Sequence, residues 1–197
     1  MTCIVDAGSG NLRSLANALR EVGIAAEVCP HPPAKRPEVL LLPGVGAFGH
    51  AAERLCETGW DETLKRFVGE GSRLVGICLG MQLLLDWSEE SPGARGLGLI
   101  RGSVRRLGTG RAKVPHIAWA RLRFEGEPES PLPWAYFVHS FAAEPEDPTT
   151  VEAWATHGGR EFPAAIRTGG VVGVQFHPEK SQVLGLAYLA ALLGGRS

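Results

Sequence analysis

An open α/β fold, with a mainly parallel twisted sheet flanked by helices and extra antiparallel strands in the second half, is what this sequence predicts. Three observations lead there. Apolar runs alternate with helical patterns through the first half. Some of those runs, such as Glu38 to Leu42, are almost continuously apolar, as strands covered on both faces are. After about Ile100 the pattern changes to strand-like segments separated by Gly- and Pro-rich turns.

The elements follow in order. Thr2 to Asp6 reads as a strand, followed by the turn Gly8-Ser9-Gly10. Leu12, Leu15, Leu19 and Val22 share one helical face, and Gly23 stops that helix. Ala25 to Cys29 and Glu38 to Leu42 are strands, Ala51 to Glu57 and Glu62 to Gly69 helices. Arg73 to Ile77 is a further strand, and Leu79 to Ser88 is expected to be a helix. Strand segments then run Ile100 to Leu107, His116 to Phe124, Tyr136 to Ala142, Val151 to Ala155, Ala164 to Arg167 and Val171 to Phe176. Ser181 is the expected N-cap of a last helix ending near Gly194, and Glu127 to Pro133 a surface loop.

With 197 residues, one domain spanning 1–197 is expected. A chain of this size buries roughly 70% of the surface its unfolded form exposes, so it folds without a disulfide or metal. The 20 basic residues are scattered and the net charge is -1, which weighs against a nucleic-acid partner. No apolar run approaches the ~20 residues of a membrane span, and Met1 to Asp6 does not read as a secretory leader. Cys3, Cys29, Cys56 and Cys78 form no C-x-x-C pair and have no histidine at ligand spacing. They read as free thiols in a reducing cytoplasm, with no metal and no cofactor expected. Cys3, Cys29 and Cys56 sit in apolar contexts and are expected to be buried.

Cys78 differs. Gly76-Ile77-Cys78-Leu79-Gly80 has the form G-x-C-x-G between a strand and a helix, the pattern of a nucleophile elbow. Large neighbours at Gly76 and Gly80 would collide in so sharp a turn. The Leu79 amide, first in the helix, can hold a thiolate or an oxyanion. The plainer reading is a small buried cysteine in a Gly-rich turn. His177 lies just past the strand Val171 to Phe176, where the strand ends of an open sheet form the ligand crevice. Glu179, two residues on, projects to the same side and can accept the His177 Nδ1 proton, leaving Nε2 for the sulfur. The other five histidines take the default reading, structural or exposed. Gly44-Val45-Gly46-Ala47-Phe48-Gly49 matches G-x-G-x-x-G, but the ribose-binding acidic residue of a dinucleotide site is missing. Its alternative role is a backbone oxyanion donor at Val45.

Taken together, Gly76-Ile77-Cys78-Leu79-Gly80-Met81-Gln82 and Gln175-Phe176-His177-Pro178-Glu179 resemble the triad-type (class I) glutamine amidotransferases. Gly10-Asn11-Leu12-Arg13-Ser14, Leu42 to Gly49 and Tyr136-Phe137-Val138-His139-Ser140 resemble the branch that serves as glutaminase subunit of imidazole glycerol phosphate synthase. Ala7, and Ile117-Ala118-Trp119-Ala120 in place of a G-W-N form, depart from that branch. The resemblance implies a flavodoxin-like fold and hydrolysis of L-glutamine to glutamate and ammonia. Cys78 would be the nucleophile, His177 the proton shuttle and Glu179 its orienter, with Leu79 and Val45 as oxyanion donors. Gly44, Gly46, Gln82, Ser140 and Phe141 would hold the α-amino and carboxylate groups of the substrate. A (β/α)8-barrel cyclase subunit would receive the ammonia in histidine biosynthesis, with Asn11, Ser14, Tyr136 and Lys180 at or near its interface. Three other readings stand beside this one: the glutaminase subunit of another amidotransferase, a non-catalytic nucleotide-binding module using Gly44 to Gly49, and a stand-alone cysteine hydrolase.

Overall fold

The computed structural model describes residues 1–8, 10, 12–108, 112–126 and 130–194. The first half alternates as its apolar pattern predicts: β1 (Thr2–Val5), α1 (Leu12–Glu21), β2 (Ala26–Cys29), β3 (Val39–Gly44), α2 (Phe48–Thr58), α3 (Trp60–Gly69), β4 (Arg73–Cys78) and α4 (Leu79–Leu83). The second half supplies β5 (Trp87–Ser88), β6 (Gly102–Arg106), β7 (His116–Arg121), β8 (Arg123–Phe124), β9 (Trp134–His139), β10 (Phe141–Pro145), β11 (Val151–His157), β12 (Arg160–Thr168), β13 (Val171–Val174) and α5 (Gln182–Leu192).

Among the described residues, eight strands form one sheet in the order β2-β1-β3-β4-β13-β12-β11-β8. The pairs from β2 to β13 are parallel. Those from β13 to β8 are antiparallel. Alternation along the strands splits the core in two. Ile4, Leu41, Val75 and Ile77 pack with Leu15 and Leu19 of α1 and Leu189 of α5. Cys3, Val5, Leu40, Leu42 and Leu74 pack with Leu55 of α2, Phe67 of α3 and Met81 of α4. Both faces of β1, β3 and β4 are therefore dry, which is why these strands read as continuous apolar runs. Parallel register sets Gly44, Cys78 and the end of β13 side by side at one edge, through the pairs Gly44–Cys78 and Val174–Ile77.

Several elements depart from the sequence reading. The helix expected over Leu79 to Ser88 stops at Leu83. The carbonyls of Leu83, Leu84 and Leu85, which a longer helix would bond within itself, instead accept the amides of Leu97, Leu99, Ile100 and Gly98. Trp87–Ser88 then pairs with β6. The strand expected over Tyr136 to Ala142 breaks at Ser140: β9 belongs to a ribbon with β7, and β10 pairs with β6. Cys56, expected to be buried, is exposed, because it falls on the solvent side of α2. Ser181 takes the N-cap position of α5 as expected, but its side chain makes no cap bond; its hydroxyl donates to the His177 carbonyl (2.7 Å) and accepts from the Tyr136 amide (3.0 Å). Ser9 and residues 127–129 of the expected turn and loop lie outside the described residues.

The glycines of the elbow are explained by close approach. A Cβ on Gly80 would stand 1.7 Å from the Leu42 carbonyl oxygen, and one on Gly76 2.6 Å from the Gly80 oxygen. Both obstacles are backbone and neither can yield. Gly69, exposed in the last turn of α3, meets nothing within 4 Å. Gly80→Ala should cost on the order of 3 kcal/mol or more in urea unfolding. Gly69→Ala should gain about 0.5 kcal/mol by its lower chain entropy. A Gly80→Ala midpoint matching the wild type would show that the packing of β3 on α4 is not what requires this glycine.

Candidate active site

The elbow holds its cysteine in a conformation that side chains rarely adopt. Cys78 has φ 53° and ψ −108°; Gln182 is the other non-glycine residue with positive φ among those described. Cys78 is the last residue of β4 and the one before α4, so its side chain leaves the sheet at the strand ends. It opens onto a cleft of about 290 Å³ lined by Val45, Gly46, Leu79, Gln82, Glu90, Pro115, Val138, His139, Ser140 and Phe141. Gly44 lies beneath the Leu79 side chain, where a Cβ would come within 3.1 Å of it. Larger or comparable hollows lie elsewhere: one of about 550 Å³ between α2 and residues 94–97, with the helical Cys56 on its wall and no histidine lining it, another of about 280 Å³ beside β10 and β12.

His177 reaches the same edge from the far side of β4. Its amide bonds the Tyr136 carbonyl at 2.9 Å. Its Nδ1 lies 2.8 Å from Glu179 Oε1, the arrangement in which a carboxylate fixes the ring and leaves Nε2 free to take a proton. Nε2 is buried and has no hydrogen-bond partner among the described residues. Burial alone would depress the His177 pKa, but the Cys78 sulfur and the Glu179 carboxylate outweigh it and raise it to about 9. The Cys78 sulfur itself faces the Val138 carbonyl at 3.9 Å and the side-chain nitrogen of Gln175 at 3.7 Å.

Of the expected substrate contacts, Gly46, Gln82, Ser140 and Phe141 line the cleft together with the expected oxyanion donors Val45 and Leu79. The Gln82 side-chain nitrogen is already engaged, donating to the Phe141 carbonyl (2.9 Å) and to Gln175 Oε1 (3.1 Å). That leaves its oxygen for a ligand. Of the four expected interface residues, Tyr136 and Lys180 flank the His177 turn, Ser14 is exposed on α1, and Asn11 lies outside the described residues.

Several polar residues in this region carry no local sequence signal. Glu90 accepts the Phe48 amide at 2.7 Å, and Ser91 accepts that of Gly49 at 3.0 Å. A carboxylate thus occupies the end of α2 where a phosphate would have to bind, and the G-x-G-x-x-G loop is unsuited to a nucleotide. His139, assigned the default reading in the sequence, donates from Nδ1 to the Phe141 carbonyl (2.8 Å), and its Nε2 lies 3.2 Å from His116 Nδ1. The His116 ring stacks in turn on that of His157. Burial, chiefly, lowers the pKa of His116 to about 4 and that of His139 to about 3. Outside the cleft, Ile117, Trp119 and Trp134 are large exposed apolar side chains on the β7–β9 ribbon, with Trp119 edge-on to Tyr136.

Comparison with known proteins places the chain in a family and a fold. A family model described as "Glutamine amidotransferase class-I" matches residues 3–190. "Imidazole glycerol phosphate synthase subunit HisH" of Methanothermobacter thermautotrophicus is 45% identical over 96% of this chain and 96% of its own length. The protein of the same name from Symbiobacterium thermophilum is 44% identical over 95% of this chain and 90% of its own. In fold, the chain is similar to a crystal structure of a glutamine amidotransferase (TM-score 0.77, 24% identity, 98% of both chains). It is also similar to PurLQS from Thermotoga maritima (TM-score 0.71, 20% identity, covering 98% and 97%).

The histidines predict opposite limbs of a stability profile. His116 and His139 are held neutral below the ordinary value of 6.5, so the unfolded chain binds more protons and stability falls as pH drops from 6.5 through about 4. His177 is raised, so its contribution is full below 6.5 and is lost as pH rises through about 9. In urea titrations across pH, His116→Gln should flatten the acid limb and Glu179→Gln the alkaline one. Limbs that stay parallel to the wild type would assign the titration to other groups.

Proposed function

The chain belongs to the class I glutamine amidotransferases, and on that premise we propose that it is the glutaminase subunit of imidazole glycerol phosphate synthase. It hydrolyses L-glutamine and supplies ammonia to a cyclase subunit that makes imidazole glycerol phosphate and aminoimidazole carboxamide ribonucleotide in histidine biosynthesis. The observation that carries the chemistry is a carboxylate-held imidazole, its Nε2 buried and unpaired, beside a cysteine on a strained turn at the mouth of a cleft.

The reaction follows from these groups. Cys78 gives its proton to His177 Nε2, and the sulfur attacks the side-chain amide carbon of glutamine. The Leu79 and Val45 amides receive the oxyanion. The imidazolium, held by Glu179, protonates the leaving ammonia. Water then attacks the glutamyl thioester with His177 as base, releasing glutamate and restoring the thiol. The α-carboxylate and α-ammonium rest among Gly44, Gly46, Ser140, Phe141 and the Gln82 side-chain oxygen. Glu90, on the cleft wall, adds a negative group suited to the ammonium.

The ammonia acceptor is a (β/α)8-barrel cyclase docked over Asn11, Ser14, Tyr136 and Lys180. What supports a partner on this side is the exposed apolar group Ile117, Trp119 and Trp134 on the ribbon that carries Tyr136. The setting is the cytoplasm, consistent with four unpaired thiols. No helix of the described residues is long and apolar enough to cross a membrane.

Cys78→Ala should lose ammonia release from glutamine by a factor on the order of 10⁴ or more while keeping its thermal midpoint. Equal release by wild type and variant would end the catalytic reading. Glu90→Gln should raise KM for glutamine on the order of tenfold with a smaller change in kcat. The purified chain alone should turn over slowly, and addition of the cyclase with its ligand should accelerate it strongly. Full activity without the cyclase would favour a stand-alone hydrolase.

A further inference from the structure

Gln175 is the one polar residue of the Gln175 to Glu179 stretch to which the mechanism above gives no part. It follows β13 and is wholly buried, with its amide continuing the sheet by bonding the Ala164 carbonyl at 2.9 Å. A buried primary amide is costly unless its polar atoms are paired, so the partners of this one define what it does. They are two: Oε1 accepts from Gln82 Nε2 at 3.1 Å, and Nε2 donates to Cys78 Sγ at 3.7 Å.

The sense of that pair is fixed from a distance. The Phe141 carbonyl is backbone and can only accept. It receives Gln82 Nε2 at 2.9 Å and His139 Nδ1 at 2.8 Å, so the nitrogen side of Gln82 must face it. The same nitrogen reaches Gln175, which therefore presents its oxygen to Gln82 and its NH₂ to the sulfur. Turning the Gln175 amide over would set two NH₂ groups against each other and an oxygen against the sulfur. His139 is locked likewise: with Nδ1 donating to Phe141, its Nε2 accepts from His116, and both rings stay neutral because burial holds their pKa values to about 3 and about 4.

We propose that Gln175 is a further catalytic residue, whose side-chain NH₂ donates to the Cys78 sulfur and stabilises the thiolate that attacks the substrate, with Gln82 and the Phe141 carbonyl holding the amide in that sense. The proton inventory is unchanged: the thiol proton passes to His177 Nε2 and Gln175 keeps both of its own. The bond gains strength as the sulfur becomes an anion. The neutral thiol can donate to the Val138 carbonyl at 3.9 Å, but once deprotonated it can only accept, and Gln175 offers it a neutral side-chain donor beside the imidazolium of His177. The proposal rests on Cys78 being the nucleophile.

The test reads the sulfur directly. In the full chain, with exposed Cys56 replaced as Cys56→Ser so that it does not consume reagent, Cys78 is alkylated with iodoacetamide at about pH 6.5 and about pH 9.5. Gln175→Met removes donor and acceptor at similar length. Gln175→Leu also removes both and, like Gln175→Met, adds no charge beside the sulfur. The titratable groups near the sulfur are His177 with Glu179 behind it, Glu90 on the cleft wall and His139 at the end of β9; all are common to the three proteins. Both variants should react about tenfold more slowly than wild type at the lower pH and converge with it at the higher, and kcat for glutamine should fall about tenfold with KM nearly constant. Unchanged alkylation at the lower pH overturns the proposal even if kcat falls, because the amide would then serve packing alone. If Gln175→Met does not fold, the equally uncharged Gln175→Leu decides by the same readout. A wild-type chain that released no ammonia would remove the glutaminase reading and leave the alkylation comparison standing.

Discussion

The backbone of Cys78 is the constraint around which the site is built. A residue with a side chain at φ 53°, ψ −108° costs on the order of 1–3 kcal/mol, and the surroundings have to hold it there. They do so from both sides. Parallel pairing of Gly44 with Cys78 ties the end of β4 to β3, and Gly80 brings the first turn of α4 against the Leu42 carbonyl. Those contacts need a bare backbone at Gly76 and Gly80 and a dry, well-packed sheet behind them. The apolar strands β1, β3 and β4 are thus part of the chemistry: they are what makes a strained turn rigid enough to present a sulfur.

Much of this was legible in the sequence because it is local. The spacing G-x-C-x-G, a histidine two residues before a glutamate, and alternating strands and helices are all patterns within ten residues or so. They pointed to Cys78, His177 and Glu179 and to the parallel half of the sheet. The parts that were not legible depend on partners far along the chain. Gln175 meets Cys78 across 97 positions and Gln82 across 93, and Glu90 caps a helix that begins 42 positions earlier. Nothing in the neighbourhood of those residues records such a meeting. The helix expected past Leu83 failed for a related reason. Met81 to Leu85 is apolar throughout except for Gln82, so it has no helical periodicity to lose, and the amides of residues 97–100 took its carbonyls. Ser140 ended a strand because its two sides belong to different sheets, which composition does not encode.

The outer surface and the inner site share a backbone. Tyr136, on the ribbon whose outward face carries Trp119 and Trp134, gives its carbonyl to the His177 amide and its amide to the Ser181 hydroxyl. Ribbon and base-bearing turn are therefore tied by two hydrogen bonds at the surface of the core. Gln182, held at φ 59° directly after this turn, is the second place where the chain carries strain, and it too stands next to the catalytic segment.

The hydroxyl of Ser181 and the absence of a side chain at Gly185 join the turn bearing His177 and Glu179 to α5. A Cβ at Gly185 would lie 2.3 Å from the Pro178 carbonyl oxygen, so helix and turn are in direct contact. α5 is seated on the core by Leu189 and Leu192 and by Tyr188, whose ring lies against Phe124 and Phe176, while Val183 and Leu184 face solvent. The turn with the imidazole is thus packed on a helix, while the sulfur is held by the sheet. A substitution that shifts the seat of α5 therefore reaches the base without touching the nucleophile.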